Sequence, residues 1–288
     1  MYAPDFDYYR AASVAEASDL LKTHPGAKIL AGGHSLIPLL KLRLAAPPAL
    51  IDIGRIAGLR GVSVKDGAVR IGALTTHAEL GASPDVRKHC PALAEAARLI
   101  GDPAVRNRGT IGGNVAHADP ASDLPTVLTA LGARFVVAEG TLTVSVDARD
   151  FFTGMMTTAL GEHALLTAIE VPALSTGQGA AYVKFSHPAS RYAVIGVAAI
   201  VSAGGGTCSA AAVVMGGLVP RPTRASTVEK ALVGQALTAD AIANAASLVV
   251  SDLGDDLLGD IYASAEYRRA VAPVWVKRAL TAAASRVG

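Results

Sequence analysis

Apolar and polar positions change period repeatedly along this chain, and the changes mark its elements. Ser13 and Glu16 form a capping box that predicts a helix to His24, with Leu20 and Leu21 on its apolar side. Pro25-Gly26 stops it, and 28–31 reads as a strand running into Gly32-Gly33, with a second strand at 49–53. Alternation at 62–64 and 69–71 around Asp66-Gly67 predicts a hairpin. Thr76 and Glu79 form another capping box, and 91–100 reads as an alanine-rich helix. A helix over 123–131 beginning near Pro125, a hairpin over 135–146 turning at Glu139-Gly140, and a strand at 165–171 complete this part.

Beyond Pro172 the texture changes. Residues 174–179 form a polar, glycine-bearing linker, followed by apolar strands at about 181–186, 193–202 and 207–217, the last two joined at 204–206. Helices are predicted near 225–233, 239–253 and 264–285, the last carrying Pro273, which should kink it. Strands followed by helices indicate an α+β domain, an antiparallel sheet with helices on one face.

Length and composition bound the function. A chain of 288 residues with 51% hydrophobic content can bury two or three real cores. A net charge of +2 gives no basic field for nucleic acid, and the longest apolar run, 193–203, is too short to span a bilayer. The polar, acidic start at residues 2–5 lacks the pattern of a signal peptide, so a cytoplasmic location is expected. Cys90 and Cys208 read as small buried residues, and two cysteines cannot ligate an iron–sulfur cluster alone. The seven histidines show no metal-ligand spacing, so no metal site is expected.

The chemistry concentrates in two glycine segments, Ala31-Gly32-Gly33-His34-Ser35 and Thr110-Ile111-Gly112-Gly113-Asn114. Adjacent glycines let backbone N–H groups turn toward one point, with no Cβ between them and a ligand. Two such segments could hold linked phosphates from opposite sides, and a dinucleotide diphosphate is the natural candidate. No G-x-G-x-x-G opens a helix and no G-x-x-x-x-G-K-[ST] is present, which argues against a Rossmann domain or P-loop.

Taken together, residues 30–43 (LAGGHSLIPLLKLR), 71–77 (IGALTTH), 100–114 (IGDPAVRNRGTIGGN), 117–125 (HADPASDLP), 165–172 (LLTAIEVP) and 265–268 (AEYR) resemble the FAD-binding medium subunits of the molybdenum hydroxylases. That group includes aerobic carbon monoxide dehydrogenase and the flavin domain of xanthine dehydrogenase. The resemblance implies a vanillyl-alcohol-oxidase-type (PCMH-type) FAD fold of two α+β subdomains, at 1–54 and 55–176, followed by a C-terminal α+β domain at 177–288. It implies that both glycine segments, with Leu30, Leu36 and Ile100 flanking them, grip the FAD diphosphate through backbone N–H groups. Asp123 falls where the family places a carboxylate on the adenosine side, and its plain alternative is a helix N-cap. Leu166 and Lys184 match flavin-contacting positions. Lys184 could place a cation at the N1/C2=O edge or could be an ordinary strand lysine. Tyr192 matches a position beside the isoalloxazine ring, and Arg106 and Arg108, flanking the second glycine segment, read as solvent-facing charge by default, with long-range attraction of the diphosphate as the alternative.

The context of His34 is that of the medium subunits, which implies noncovalent FAD rather than a histidyl linkage. The family further implies a large molybdopterin-binding partner and a small [2Fe-2S] partner, arranged as a dimer of heterotrimers. This chain would pass electrons through FAD and hold no catalytic residue for the substrate. His34 tilts the family likeness toward carbon monoxide dehydrogenase. Two competitors remain: a self-sufficient flavin oxidase or reductase, which needs a substrate cavity over the flavin, and a non-redox phospholigand-binding module, which would show no flavin spectrum.

Overall fold

The computed structural model describes residues 2–288. β1 (Asp7–Arg10), α1 (Val14–Thr23), β2 (Lys28–Leu30), α2 (Leu36–Lys41) and β3 (Ala49–Asp52) build a small parallel sheet of order β1-β3-β2. Its core joins Ala17 and Leu21 of α1 to Ile51 and Ile53. The Ser13 hydroxyl accepts the Glu16 N–H, but the Glu16 carboxylate accepts the Ala12 N–H and not that of Ser13, so the N-cap forms as read and the reciprocal half of the box falls one residue early.

The second unit is an antiparallel sheet of order β4-β5-β10-β6-β7, made from β4 (Val62–Lys65), β5 (Ala68–Gly72), β6 (Arg134–Glu139), β7 (Leu142–Asp147) and β10 (Leu165–Pro172). Between β5 and β6 run α3 (His77–Ala82), α4 (Pro84–His89), α5 (Pro91–Leu99), α6 (Pro103–Arg108), α7 (Ile111–His117) and α8 (Asp123–Ala130). Between β7 and β10 lie α9 (Ala148–Phe151) and the two-stranded β8 (Phe152–Gly154) and β9 (Thr157–Thr158). Proline at the first turn of α4, α5 and α6 explains these abrupt helix starts, because the missing N–H is one that a helix leaves unpaired anyway.

The third unit is the antiparallel sheet of β11 (Gln178–Ser186), β12 (Ala193–Gly204), β13 (Thr207–Gly216) and β14 (Thr223–Arg224), followed by α10 (Ser226–Leu232), α11 (Ala239–Ser247) and α12 (Ala265–Ala284). Helices cover both faces of this sheet, not one as expected. Ala180, Tyr182, Ala198, Ile200 and Val214 join the core of the preceding unit, under α5 and α8. Their alternates Ala181, Val197, Ala199, Val201 and Val213 join α10, α11 and α12 on the other side. Double-sided burial explains why 193–201 is continuously apolar rather than alternating. The expected 239–253 helix ends at Ser247 and tightens into a 3₁₀ turn at Leu248–Asp252, whereas α12 runs unbroken through Pro273. Among the described residues, no helix is long and apolar enough to cross a membrane.

Candidate functional site

The three units meet around a cleft of about 910 Å³, lined from the first by Lys28 and residues 31–36, from the second by Ile100, Thr110, Asp123 and Leu166, and from the third by Tyr192. That volume sits toward the upper end of the ~300–1,000 Å³ usual for small-molecule and cofactor sites. Every residue singled out in the sequence lines it except Leu30, Ile111 and Lys184. Leu30 packs beside Gly33, and Ile111 is fully buried in the core of the second unit.

The first glycine segment turns sharply and leaves its donors unpaired. Gly33 has φ +79°, a left-handed conformation that favours glycine, and α2 starts directly after it. The carbonyls of Gly33 and Ser35 accept from Ile37 and Leu39, whereas the N–H groups of Gly32, Gly33, His34 and Ser35 have no partner within the chain. Four donors therefore stand free beside the cleft. Gly32 has a packing role as well: a Cβ there would collide with the Arg108 carbonyl and lie 3.1 Å from Gly109 Cα, so the two glycine segments abut at this point.

The second segment is not a loop of free donors. Thr110 caps α7, and its hydroxyl accepts the Gly113 N–H at 3.1 Å. The N–H groups of Ile111, Gly112 and Asn114 donate to Thr75, Ala73 and Thr110 carbonyls at 2.9, 2.8 and 3.0 Å. Gly112 is required because a Cβ would lie 2.5 Å from that of Ala73, so α7 seats flush on the turn after β5. This corrects the expectation of two equivalent backbone grips. The amides of residues 111–114 are engaged within the chain, and those of residues 32–35 are free.

Asp123, Lys184 and Tyr182 form one buried cluster. Lys184 Nζ donates to Asp123 Oδ2 at 2.8 Å and to the Leu99 carbonyl at 3.3 Å, and the Tyr182 hydroxyl donates to Asp123 Oδ1 at 2.5 Å. Burial pushes the Asp123 carboxyl up against the pull of Lys184 and Tyr182, and burial beside Asp123 pushes the Tyr182 hydroxyl well up. Ser122, not Asp123, occupies the N-cap of α8. Tyr192 stands at the rim, 43% exposed, with its hydroxyl pushed up by burial and by Asp119 and Asp123. Asp123 and Lys184 thus touch, so their implied roles at opposite ends of an extended dinucleotide cannot both hold. Lys184 offers no free cation to the cleft, because its ammonium is spent on Asp123.

Three contributors were not read from the sequence. A β-bulge between Leu166 and Ala168 frees the Thr167 carbonyl to accept the Ala73 N–H at 3.0 Å, binding β10 to the turn that seats α7. Arg106, expected in solvent, is half-buried and donates to the Ile100 and Gly101 carbonyls at 2.9 and 3.0 Å. His77 lines the cleft 3% exposed, with Nδ1 buried and unpartnered. Burial, then His34 and Arg106, hold its pKa down to about 4. Cys90 and Cys208 are free and buried, as expected, and burial pushes the Cys90 thiol up to about 12. Among the described residues no group of side chains could hold a metal ion.

Residues 4–174 match the family described as the FAD binding domain in molybdopterin dehydrogenase, and residues 180–283 match the CO dehydrogenase flavoprotein C-terminal domain. The chain belongs to the FAD-binding medium subunits of the molybdenum hydroxylases. It is 41% identical to the carbon monoxide dehydrogenase medium chain of Hydrogenophaga pseudoflava, with 99% of each chain covered. It is 40% identical to the glyceraldehyde dehydrogenase medium chain of Sulfolobus acidocaldarius, covering 97% of this chain and 98% of that one. The solved carbon monoxide dehydrogenase of H. pseudoflava that lacks the Mo-pyranopterin moiety superposes with a TM-score of 0.96 at 42% identity over 100% of both chains.

This flavoprotein family's cofactor fits the residues present. The four free N–H groups of residues 32–35 match an anionic diphosphate. Asn114 Oδ1 is a buried acceptor with no partner, while its Nδ2 donates to Ser122 Oγ at 3.0 Å. Buried polar atoms without partners are rare in a finished site, and Asn114 Oδ1 belongs to a residue lining this cleft.

Proposed function

We propose that this chain binds one FAD noncovalently in the cleft and relays electrons from [2Fe-2S] clusters of a small partner subunit to an external acceptor. Substrate oxidation would take place at a molybdopterin cofactor on a large partner subunit, in a dimer of heterotrimers. The observation that carries this reading is the cleft itself, with four unpaired N–H groups on one wall and apolar Ile100 and Leu166 on others. FAD, when bound, supplies a carrier that takes up electrons singly or in pairs.

The chain's own residues then have distinct tasks. Residues 32–35 bind the diphosphate, and Leu166 and Ile100 give the ring an apolar seat. Tyr192 covers the mouth and limits water. The Asp123–Lys184 pair gives that end of the cleft a charge-balanced wall. The fold is of the vanillyl-alcohol-oxidase (PCMH) type, with subdomains at 1–54 and 55–176 and a C-terminal domain at 177–288. Medium-chain relatives carry the names of different dehydrogenases, of carbon monoxide and of glyceraldehyde, which supports a reading in which substrate choice lies on the large subunit.

The test is to purify the chain, reconstitute it with FAD, and precipitate it with acid. One flavin per chain, released to the supernatant, is expected. A yellow pellet would overturn noncovalent binding, and no spectral change on adding FAD would overturn the flavin reading. Turnover of substrate by the chain alone, without molybdenum, would favour a self-sufficient oxidase.

A further inference from the structure

His77 occupies the seam where the two glycine segments meet. Gly109 lies between them: a Cβ on Gly32 would press on Gly109 Cα, and a Cβ on Gly109 would lie 2.8 Å from His77 Nε2 and Cδ2. The backbone fixes the residue as well, because the His77 N–H donates to the Gly109 carbonyl at 3.0 Å, beside the Thr76–Thr110 bridge. The side chain is 3% exposed, yet neither ring nitrogen makes a hydrogen bond within the chain, and Nδ1 is wholly buried. A capping box formed by Thr76 and Glu79 holds the start of its helix, so the ring has little freedom to seek a partner elsewhere.

We propose that His77 is a binding residue for the diphosphate of the cofactor, presenting Nε2–H as a neutral donor at the junction of the two glycine segments. The inference rests on the flavin reading above. A neutral imidazole carries one proton, and a buried N–H without an acceptor is the costlier orphan. The proton therefore sits on Nε2, and the sealed Nδ1 carries the bare lone pair.

The surroundings keep the ring uncharged. Burial is the larger cause, and the charges of His34, from the segment after β2, and of Arg106, from α6, add to it. Glu79, on the same helix, is engaged with Thr76, and Arg98 of α5 packs further along against Gly81. The Arg106 guanidinium is committed to the Ile100 and Gly101 carbonyls. A neutral donor can therefore serve an anion here without a second buried cation to desolvate.

The test uses the full chain stripped of flavin and titrated with FAD, following flavin fluorescence. His77→Phe should weaken FAD binding about tenfold or more, the worth of a hydrogen bond to a charged group. His77→Gln, whose amide nitrogen can reach the place of Nε2, should restore most of it. In ¹⁵N-histidine-labelled wild type, His77 should be the Nε2–H tautomer, and its Nε2 signal should move on FAD addition together with the FAD ³¹P signals. If His77→Phe folds and binds FAD as tightly as wild type, the inference fails while the flavin reading stands. Should that variant not fold, an unmoved His77 signal in FAD-saturated wild type would overturn it. A wild type that takes up no FAD would overturn both.

Discussion

Lys184 and Asp123 hold each other at 2.8 Å with side chains 1% and 5% exposed, so the cation and the anion of this wall exist only as a pair. Removing one partner of such a pair leaves an uncompensated buried charge, which typically costs ~3–5 kcal/mol. Lys184→Met is therefore expected to lower the unfolding free energy by an amount in that range, with a matching fall in the denaturant midpoint, rather than only to shift the flavin potential. The double variant Asp123→Asn with Lys184→Met should recover a large part of the loss. Equal stability of wild type and Lys184→Met in urea titrations would dissolve the pair as a structural unit.

The glycines divide by what their hydrogens touch. A Cβ on Gly32 would meet the Arg108 carbonyl, a backbone atom that cannot step aside. Gly113 is exposed and its Cβ would crowd only the Thr110 hydroxyl at 2.8 Å. Gly32→Ala should therefore spread the two segments and abolish stoichiometric flavin, whereas Gly113→Ala should retain flavin with the affinity reduced. The flavin-to-protein absorbance ratio after gel filtration separates these outcomes, and equal retention in both variants would refute the division.

Most strands and long helices were legible because their signals are local. The Ser13–Glu16 and Thr76–Glu79 boxes, the Asp66-Gly67 turn and the apolar runs of β11 to β13 need no distant partner to be recognised. The short helices α2, α4, α6 and α7 were missed, since six or seven residues carry too little periodicity to read. Who pairs with whom was hidden too. Nothing local says that the amides of residues 111 and 112 would be taken by Thr75 and Ala73, or that Lys184 would close on Asp123. Contacts between residues far apart in sequence decide which glycine donors remain free. Candidate residues could therefore be listed from sequence, but their division of labour could not.

Arg268 is expected to hold the rim of the cleft in place. Its guanidinium, 5% exposed, donates to the Val194 and Gly217 carbonyls at 3.3 and 2.8 Å, to Ala263 at 3.1 Å and to Asp260 at 2.5 Å. The same stretch is tied to the loop before Asp123, because Ala193 donates to Ala121 and Gly217 to Pro120. Arg268→Ala leaves buried carbonyls unsatisfied, at about 1–3 kcal/mol each. A stability loss of at least ~3 kcal/mol is expected, together with faster iodide quenching of bound flavin as the segment just before β12, which carries Tyr192, loosens. Unchanged quenching with unchanged stability would remove Arg268 from this role.

Acid should destabilise the flavin-free protein through His77. Its pKa is about 4 in the folded chain against an ordinary value of 6.5, so between those values the unfolded chain binds a proton that the folded chain refuses. Stability contributed by the neutral ring is complete above pH 6.5 and falls as pH drops toward 4, where the loss levels off. The shift corresponds to about 3 kcal/mol over that window. His77→Gln, which does not titrate, should flatten this limb, so the gap between the urea midpoints of the variant and wild type should change steadily from pH 7 to pH 4.5. FAD should reduce the wild-type loss, because a diphosphate beside the imidazole favours its protonated form and draws the folded pKa back up. Parallel stability curves for wild type and His77→Gln across that range would show that the ring's neutrality costs the fold nothing.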